Sequence, residues 1–342
     1  MGAIVAVKKR AATLAEIAKV AGVSRMTASR ALNNQPGVSA ETREDILRIA
    51  DEMGYSVNPF AQKLSNGRSR IIGVMAELHA PFTSDIVLGI SGAAKSAGYE
   101  ALVYSLPDRD STAPSSVASL LQQIAGGIIA ILPYEASYLE QIASEALPVV
   151  TIDTLYDDPP FPSVDGDSYQ GARLAVRHLA DLGHRRIGFI SGDNRLRSAR
   201  ERLTGYRDSV AQFDLDRDPQ LVVDGDFLQK SGFDAAKRLL ALKERPTAIF
   251  AANDISALGA SQALREKGLS IPEDMSLIGF DDIAIAQQMH PPLTTIRQPL
   301  RQIGRSAMNT LLARIGGLDA PSNRITLPTE LIVRQSTAEP RR

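Results

Sequence analysis

From Ile71 onward the sequence alternates short apolar runs with amphipathic stretches of helical period. That alternation restricts most of the chain to parallel sheets covered by helices on both faces. The spacing predicts strands at Ile71–Met75, Glu100–Leu106, Gly127–Leu132, Val149–Ile152, Ile187–Ser191, Leu221–Val223, Ala248–Ala251 and Leu277–Phe280. Helical stretches at Ser84–Gly98, Ser168–Gly183, Ser198–Phe213, Gln229–Lys243 and Asp254–Gly268 fall between most of them. In such sheets ligands bind at the carboxyl ends of the strands. The pattern runs once before and once after residue 165, which predicts two similar lobes with a cleft between them.

The N-terminal part reads differently. Residues 13 to 33 form two short amphipathic helical patterns hinged at Gly22, a helix-turn-helix. Leu14, Ile17, Ala18 and Ala21 share one face, Gly22 permits a left-handed turn, and Ser24 caps the second helix. The exposed face of that second helix carries Arg25, Met26, Ser29 and Arg30, donors placed as a recognition helix places them in a major groove. A third helix starts after a Ser39 to Thr42 capping region, with Ile46, Leu47, Ile49, Ala50 and Met53 as its inner face. A plain helical hairpin is the competing reading, and the third helix argues against it.

Charge divides along the same boundary. The net charge of the 342 residues is -1, yet the first 70 carry 11 Lys or Arg against 6 Asp or Glu, and the rest 27 against 33. A basic head on an acidic body suits phosphate attraction at one end only. Cysteine is absent, which excludes disulfides and thiol chemistry. No apolar run is long enough to span a bilayer, and the opening Met-Gly-Ala-Ile-Val-Ala-Val has neither the charge order of a secretory signal nor a myristoylation pattern. A cytoplasmic protein without membrane contact is expected.

Between head and body, Pro59 follows Asn58 and Asn66-Gly67 ends a stretch of about two helical turns. A helix that short needs support to fold, which makes it a candidate switch. Leu64 within it suits a wedge inserted into the minor groove, or else an ordinary linker leucine resting on the body.

No enzymatic constellation is present. His79, His178, His184 and His290 lack metal-ligand spacing, and His184, in a turn before a strand, suits a structural role. The pairs Asp157-Asp158 and Asp281-Asp282 are sequence neighbours whose side chains diverge, and no glycine-rich phosphate loop occurs. Neither catalysis, a metal nor a cofactor is expected.

The chain resembles the LacI/GalR family of transcriptional repressors over essentially its whole length. The resemblance rests on Thr13 to Ser24, Val38-Ser-Ala-Glu-Thr-Arg43, Gly54-Tyr55 and Ala61-Gln-Lys-Leu64 in the head and hinge. In the body it rests on Leu182-Gly-His-Arg-Arg-Ile-Gly-Phe-Ile, Arg202-Leu-Thr-Gly-Tyr, Pro246 to Asp254, Ser276 to Asp282 and Pro292 to Gln298. It implies a small all-α helix-turn-helix head (11–57), a hinge (58–70) and an α/β periplasmic-binding-protein-like body of two parallel-sheet lobes (71–342). The lobes are expected at 71–164, with 295–330 crossing back, and at 165–294. Besides the exposed face already named, the resemblance implies DNA-contact roles for Thr13, Ser24, Thr27, Asn33 and Ser39 in the head, and for Ala61 and Leu64 in the hinge.

Carried onto this chain, the family's effector site falls on Arg202, Asp281, Asn253 and Phe227, with Phe82 and Asp153 at strand ends of the other lobe. A forked guanidinium suits hydroxyls or carboxylates, Asp281 accepts from sugar hydroxyls, and Phe227 offers a stacking face. Competing readings stand beside these. Arg202 and Asp281 pair with one another, Asp254 caps a helix and Asn253 shares that role, and Phe227 belongs to the core.

The mechanism implied is a ligand switch. A dimer reads two half-sites roughly 34 Å apart on a palindromic operator, and a carbohydrate effector closing the cleft moves the hinges. Met26 lacks a strong hydrogen-bonding group, so base preference is assigned to Arg25. Nothing after Arg334-Gln-Ser-Thr forms a leucine heptad, so a homodimer rather than a tetramer is expected. The alternative within the family is a global regulator corepressed by a purine or a phosphoprotein. A transport receptor would share the body but not the head.

Overall fold

The structure, a computed structural model, describes residues 12–32, 35–55, 69–77, 81–105, 121, 123–132, 147–155, 157, 160–318 and 323–341. The chain divides into two compact units, Met1–Ser69 and Arg70–Arg342.

Among its described residues the first unit holds three helices, α1 (Leu14–Val20), α2 (Arg25–Leu32) and α3 (Ala40–Glu52). Each start is set by a side chain that satisfies an orphan backbone amide. Thr13 and Glu16 form a reciprocal capping box on α1, the Ser24 Oγ accepts from the Thr27 amide at 3.0 Å, and Ser39 accepts from the Thr42 amide at 3.2 Å. Gly22 turns the chain with φ +66°. The core is thin: Ile17, Ala31, Ile46 and Ala50 are buried, with Val23, Ile49, Met53 and Tyr55 packed around them. Leu47 departs from the inner face expected of it, at 46 % exposure. Ile46, Ile49, Ala50 and Met53 already complete one stripe at helical spacing, and Leu47 lies to the side of it.

In the second unit two six-stranded sheets repeat one topology. The first comprises β1 (Ile71–Ala76), β2 (Glu100–Ser105), β3 (Gly127–Ile131), β4 (Val149–Ile152), β5 (Ser163–Gly166) and β11 (Arg324–Leu327) in the order 2-1-3-4-5-11. The second comprises β6 (Ile187–Ile190), β7 (Val222–Val223), β8 (Ala248–Ala251), β9 (Ser276–Asp281), β10 (Thr294–Arg297) and β12 (Glu330–Ile332) in the order 7-6-8-9-10-12. All pairings are parallel except β10 with β12, where Arg297 opposes Glu330.

Burial on both faces follows from the apolar runs. Every residue of Gly127–Ile131 is buried, with Ile129 and Ile131 in one core cluster and Ile128 and Ala130 in another. Successive side chains point to opposite faces, so both faces need cover. Helices Pro81–Ser96 and Leu300–Ile315 pack together on the first lobe, while Ser168–Asp181 packs on Arg197–Gln212 in the second. The chain passes between lobes after β5, after β10 and after β11, so helix Leu300–Ile315 and β11 return to the first lobe, with Thr294–Arg297 and Glu330–Ile332 in the second sheet. Among the described residues no helix is long and apolar enough to cross a membrane.

Candidate functional site

In the head, Arg25, Met26 and Arg30 are exposed on α2, with Ser29 and Thr27 partly buried beside them. Met26 is 64 % exposed, a large apolar group facing water. Thr13, Ser24 and Ser39 are exposed at helix starts, where their hydroxyls are engaged in capping. Asn33, Ala61 and Leu64 lie outside the described residues. Sequence reasoning missed the part played by Arg43. Its guanidinium donates to the carbonyls of Ala31 at 2.9 Å, Arg30 at 3.3 Å and Gln35 at 2.6 Å.

In the body, a cleft lies where the strand ends of the two lobes meet. Its place at the carboxyl ends of the strands suits a small ligand. The structure brings Phe82, Asp153, Arg202, Phe227, Asn253 and Asp281 together along its walls. Backbone strain concentrates here too. Six described non-glycine residues have positive φ, and Leu132, Asp153, Phe227 and Asp281 among them line the cleft. Such conformations persist where surrounding structure over-determines them. Phe227, at φ +70°, turns its ring over Gly192, where a Cβ would lie 2.0 Å from it.

Arg202 sits at the centre, 4 % exposed. One terminal nitrogen donates to the Ala252 carbonyl at 2.6 Å, the other lies 3.6 Å from the Asp281 carboxylate, and the guanidinium is 3.7 Å from the Phe280 ring centroid. Its Nε has no hydrogen-bond partner among the described residues. Burial pulls the Arg202 pKa down against the opposing pull of Asp281. Asp281 is pushed up to about 6 by burial, with Arg202 and the Gln298 amide, which donates at 2.8 Å, working against the rise.

Asp153 does more than line a wall. Its carboxylate accepts from the amide and hydroxyl of Ser198, at the start of helix Arg197–Gln212 in the other lobe, and from its own neighbour Thr154. The Leu196 cap position of that helix has no side-chain cap, so the first lobe supplies the missing acceptor. Burial raises the Asp153 pKa. Beside it, Arg324 of β11 bonds Asp165 at 3.2 Å and Glu201 at 2.8 Å, and Glu201 also accepts from Arg197 at 2.9 Å. Burial, reinforced by Asp153, pushes Asp165 up to about 6. Sequence reasoning missed Asp165, Glu201, Gln298 and Arg324 because each has a partner far along the chain, and Arg197 because its i,i+4 pair with Glu201 reads as an ordinary helix-surface ion pair. Asp165 and Asp153, as carboxylates at strand ends, carried the available signal.

One capping assignment changes. Asn253, not Asp254, caps helix Asp254–Glu266, accepting from the Ser256 amide at 2.8 Å while its own amide donates to the Phe227 carbonyl at 3.1 Å. Asp254 instead accepts from Ile283 at 2.9 Å and Thr295 at 2.6 Å, anchoring β10 to the helix. The pairing alternative for Arg202 and Asp281 is realised as a 3.6 Å ion pair that still faces the cleft. His184 is buried, bonded to Thr247, Ser276 and the Ala338 carbonyl, a structural histidine. His79 lies outside the described residues.

Comparison with known proteins gives the lineage. Residues 13–58 match the bacterial regulatory proteins of the lacI family, and residues 176–337 match a periplasmic binding protein-like domain. The transcriptional repressor CytR of Escherichia coli (strain K12) is 35 % identical over 334 residues, covering 96 % of this chain and 97 % of CytR. The chain belongs to the LacI family. The Lac repressor dimer bound to operator and an anti-inducer superposes with a TM-score of 0.84 at 32 % identity, over 96 % of this chain and all of that one. A complex of the regulator CelR with cellobiose gives a TM-score of 0.73 at 32 % identity, over 95 % and 99 %. As a LacI-family protein the chain is a ligand-responsive, DNA-binding transcriptional repressor, and its relatives are regulators rather than enzymes.

Proposed function

We propose that this LacI-family repressor acts in the cytoplasm as a homodimer on a palindromic operator and leaves it when a sugar or sugar acid enters the cleft. The carrying observation is Arg202, buried among strained strand ends with its Nε facing no protein acceptor among the described residues. A buried donor of this kind favours a ligand that brings its own oxygen. Asp281 and Asp153 supply acceptors for hydroxyls, and Phe82 and Phe227 supply apolar faces for a ring. CelR, bound to cellobiose, is a relative with a sugar in its complex.

On the DNA, Arg25 and Arg30 contact bases, Arg25 carrying most of the base preference, with Met26 offering apolar contact. Thr13, Ser24, Thr27, Ser29, Asn33 and Ser39 complete the head's contacts. Ala61 and Leu64 act from the hinge, Leu64 as the minor-groove wedge.

A duplex selected from a random library by the full-length chain, titrated in a gel shift with neutral sugars, sugar acids and purines, tests the reading. Release by a sugar or sugar acid, lost in Arg202→Ala, is expected. Tightening by a purine, with every sugar inert, would replace it with the corepressor alternative.

A further inference from the structure

We infer that Arg43 is a positioning residue for DNA reading, acting through the orientation of α2 rather than through a contact of its own. The helix it serves is eight residues long, too short to hold its own geometry in water. Its last carbonyls have no intrahelical donor, and that end of the dipole favours a cation. Arg43, in the first turn of α3, supplies both, its two terminal nitrogens reaching the carbonyls of Arg30, Ala31 and Gln35. The Arg30 carbonyl also accepts from the Gln35 amide at 2.9 Å, so the clamp closes on the turn directly after the residues that face outward.

Apolar packing alone is a weak orienting force here. The buried side chains of α2 are the small Ala28 and Ala31, and its larger Leu32 packs on the core only partly buried, at the last position of the helix. Base reading by a guanidinium requires donors placed to hydrogen-bond geometry, so a shifted helix loses discrimination while keeping its charge. Lysine keeps the charge of Arg43 but not its planar fork.

The test uses full-length Arg43→Lys and Arg43→Ala with a duplex selected by the wild-type chain and a random-sequence duplex, each titrated across a series of salt concentrations. Both variants are expected to lose roughly tenfold in discrimination between the duplexes, with an unchanged slope of affinity against salt. Wild-type discrimination in Arg43→Lys, or a slope shallower by about one phosphate in Arg43→Ala, would overturn the inference. Hydrogen exchange on the DNA-free protein supplies a second readout. The Gln35 amide is expected to exchange faster in Arg43→Lys, with α1 and α3 still protected. Unchanged protection, or its loss across all three helices, contradicts a positioning role.

Discussion

Arg25 and Arg30 in the head are exposed, and their guanidinium groups make no hydrogen bond or ion pair to another described residue, whereas Arg202 in the body is 4 % exposed and held by a carbonyl, a carboxylate and an aromatic face. The same side chain therefore serves two physical regimes. In the head the guanidinium stays hydrated until phosphates and bases replace water, so salt governs its energy. In the cleft desolvation has already occurred, and the balance of internal partners governs it. A switch needs both: one end that docks and releases with modest energy changes, and one whose internal pairings respond strongly to a small ligand.

Arg202→Ala breaks the comparison hardest. It leaves the Asp281 carboxylate buried with Gln298 as its remaining side-chain donor among the described residues, and is expected to cost about 3–5 kcal/mol of body stability in denaturant unfolding. A loss below about 1 kcal/mol would mean that Arg202 is solvated like the head arginines. Arg25→Ala is the counterpart in the head. It is expected to remove about 1–3 kcal/mol of base discrimination with no change in body unfolding. Unrelaxed selectivity in a binding-site selection would remove Arg25 from the reading set.

Acidification sharpens the contrast. The folded-state pKa of Asp281, about 6, lies above the ordinary aspartate value of 3.8. The folded chain therefore binds more protons than the unfolded one between those values. The resulting stabilisation is complete at low pH and lost as pH rises through 6. Body stability is expected to gain about 1 kcal/mol from this group between pH 7 and pH 5, a gain missing in Asp281→Asn. Equal pH slopes in unfolding curves of the two proteins would exclude it. The smallest effect is expected at Leu47→Ser, within about 0.5 kcal/mol, because the side chain lies outside the head's core.

Much of this was readable from local chemistry. Gly22, Ser24 and Ser39 each announce their backbone role by residue type and position, and the apolar runs at Gly127–Ile131 and Ala248–Ala251 mark buried strands. What escaped was made by long-range partners. Strand Ser163–Gly166 carries a buried aspartate that no hydrophobic pattern predicts, tolerated because Ser163 and Arg324 bond it. Strands β10, β11 and β12 and helix Leu300–Ile315 complete lobes begun far upstream. Arg202, Asp281 and Phe227 follow from family resemblance, whereas the burial of Arg202 and Asp281 and the strained backbone of Asp281 and Phe227 are properties of the assembled cleft.

Release by a ligand requires coupling between cleft and operator, and linkage makes that coupling reciprocal. Calorimetric titration of the active sugar into the free chain and into the chain saturated with its selected duplex measures it directly. The sugar is expected to bind more weakly to the DNA-bound form, by the same factor that it weakens the duplex. Equal affinity in the two titrations would contradict a ligand switch.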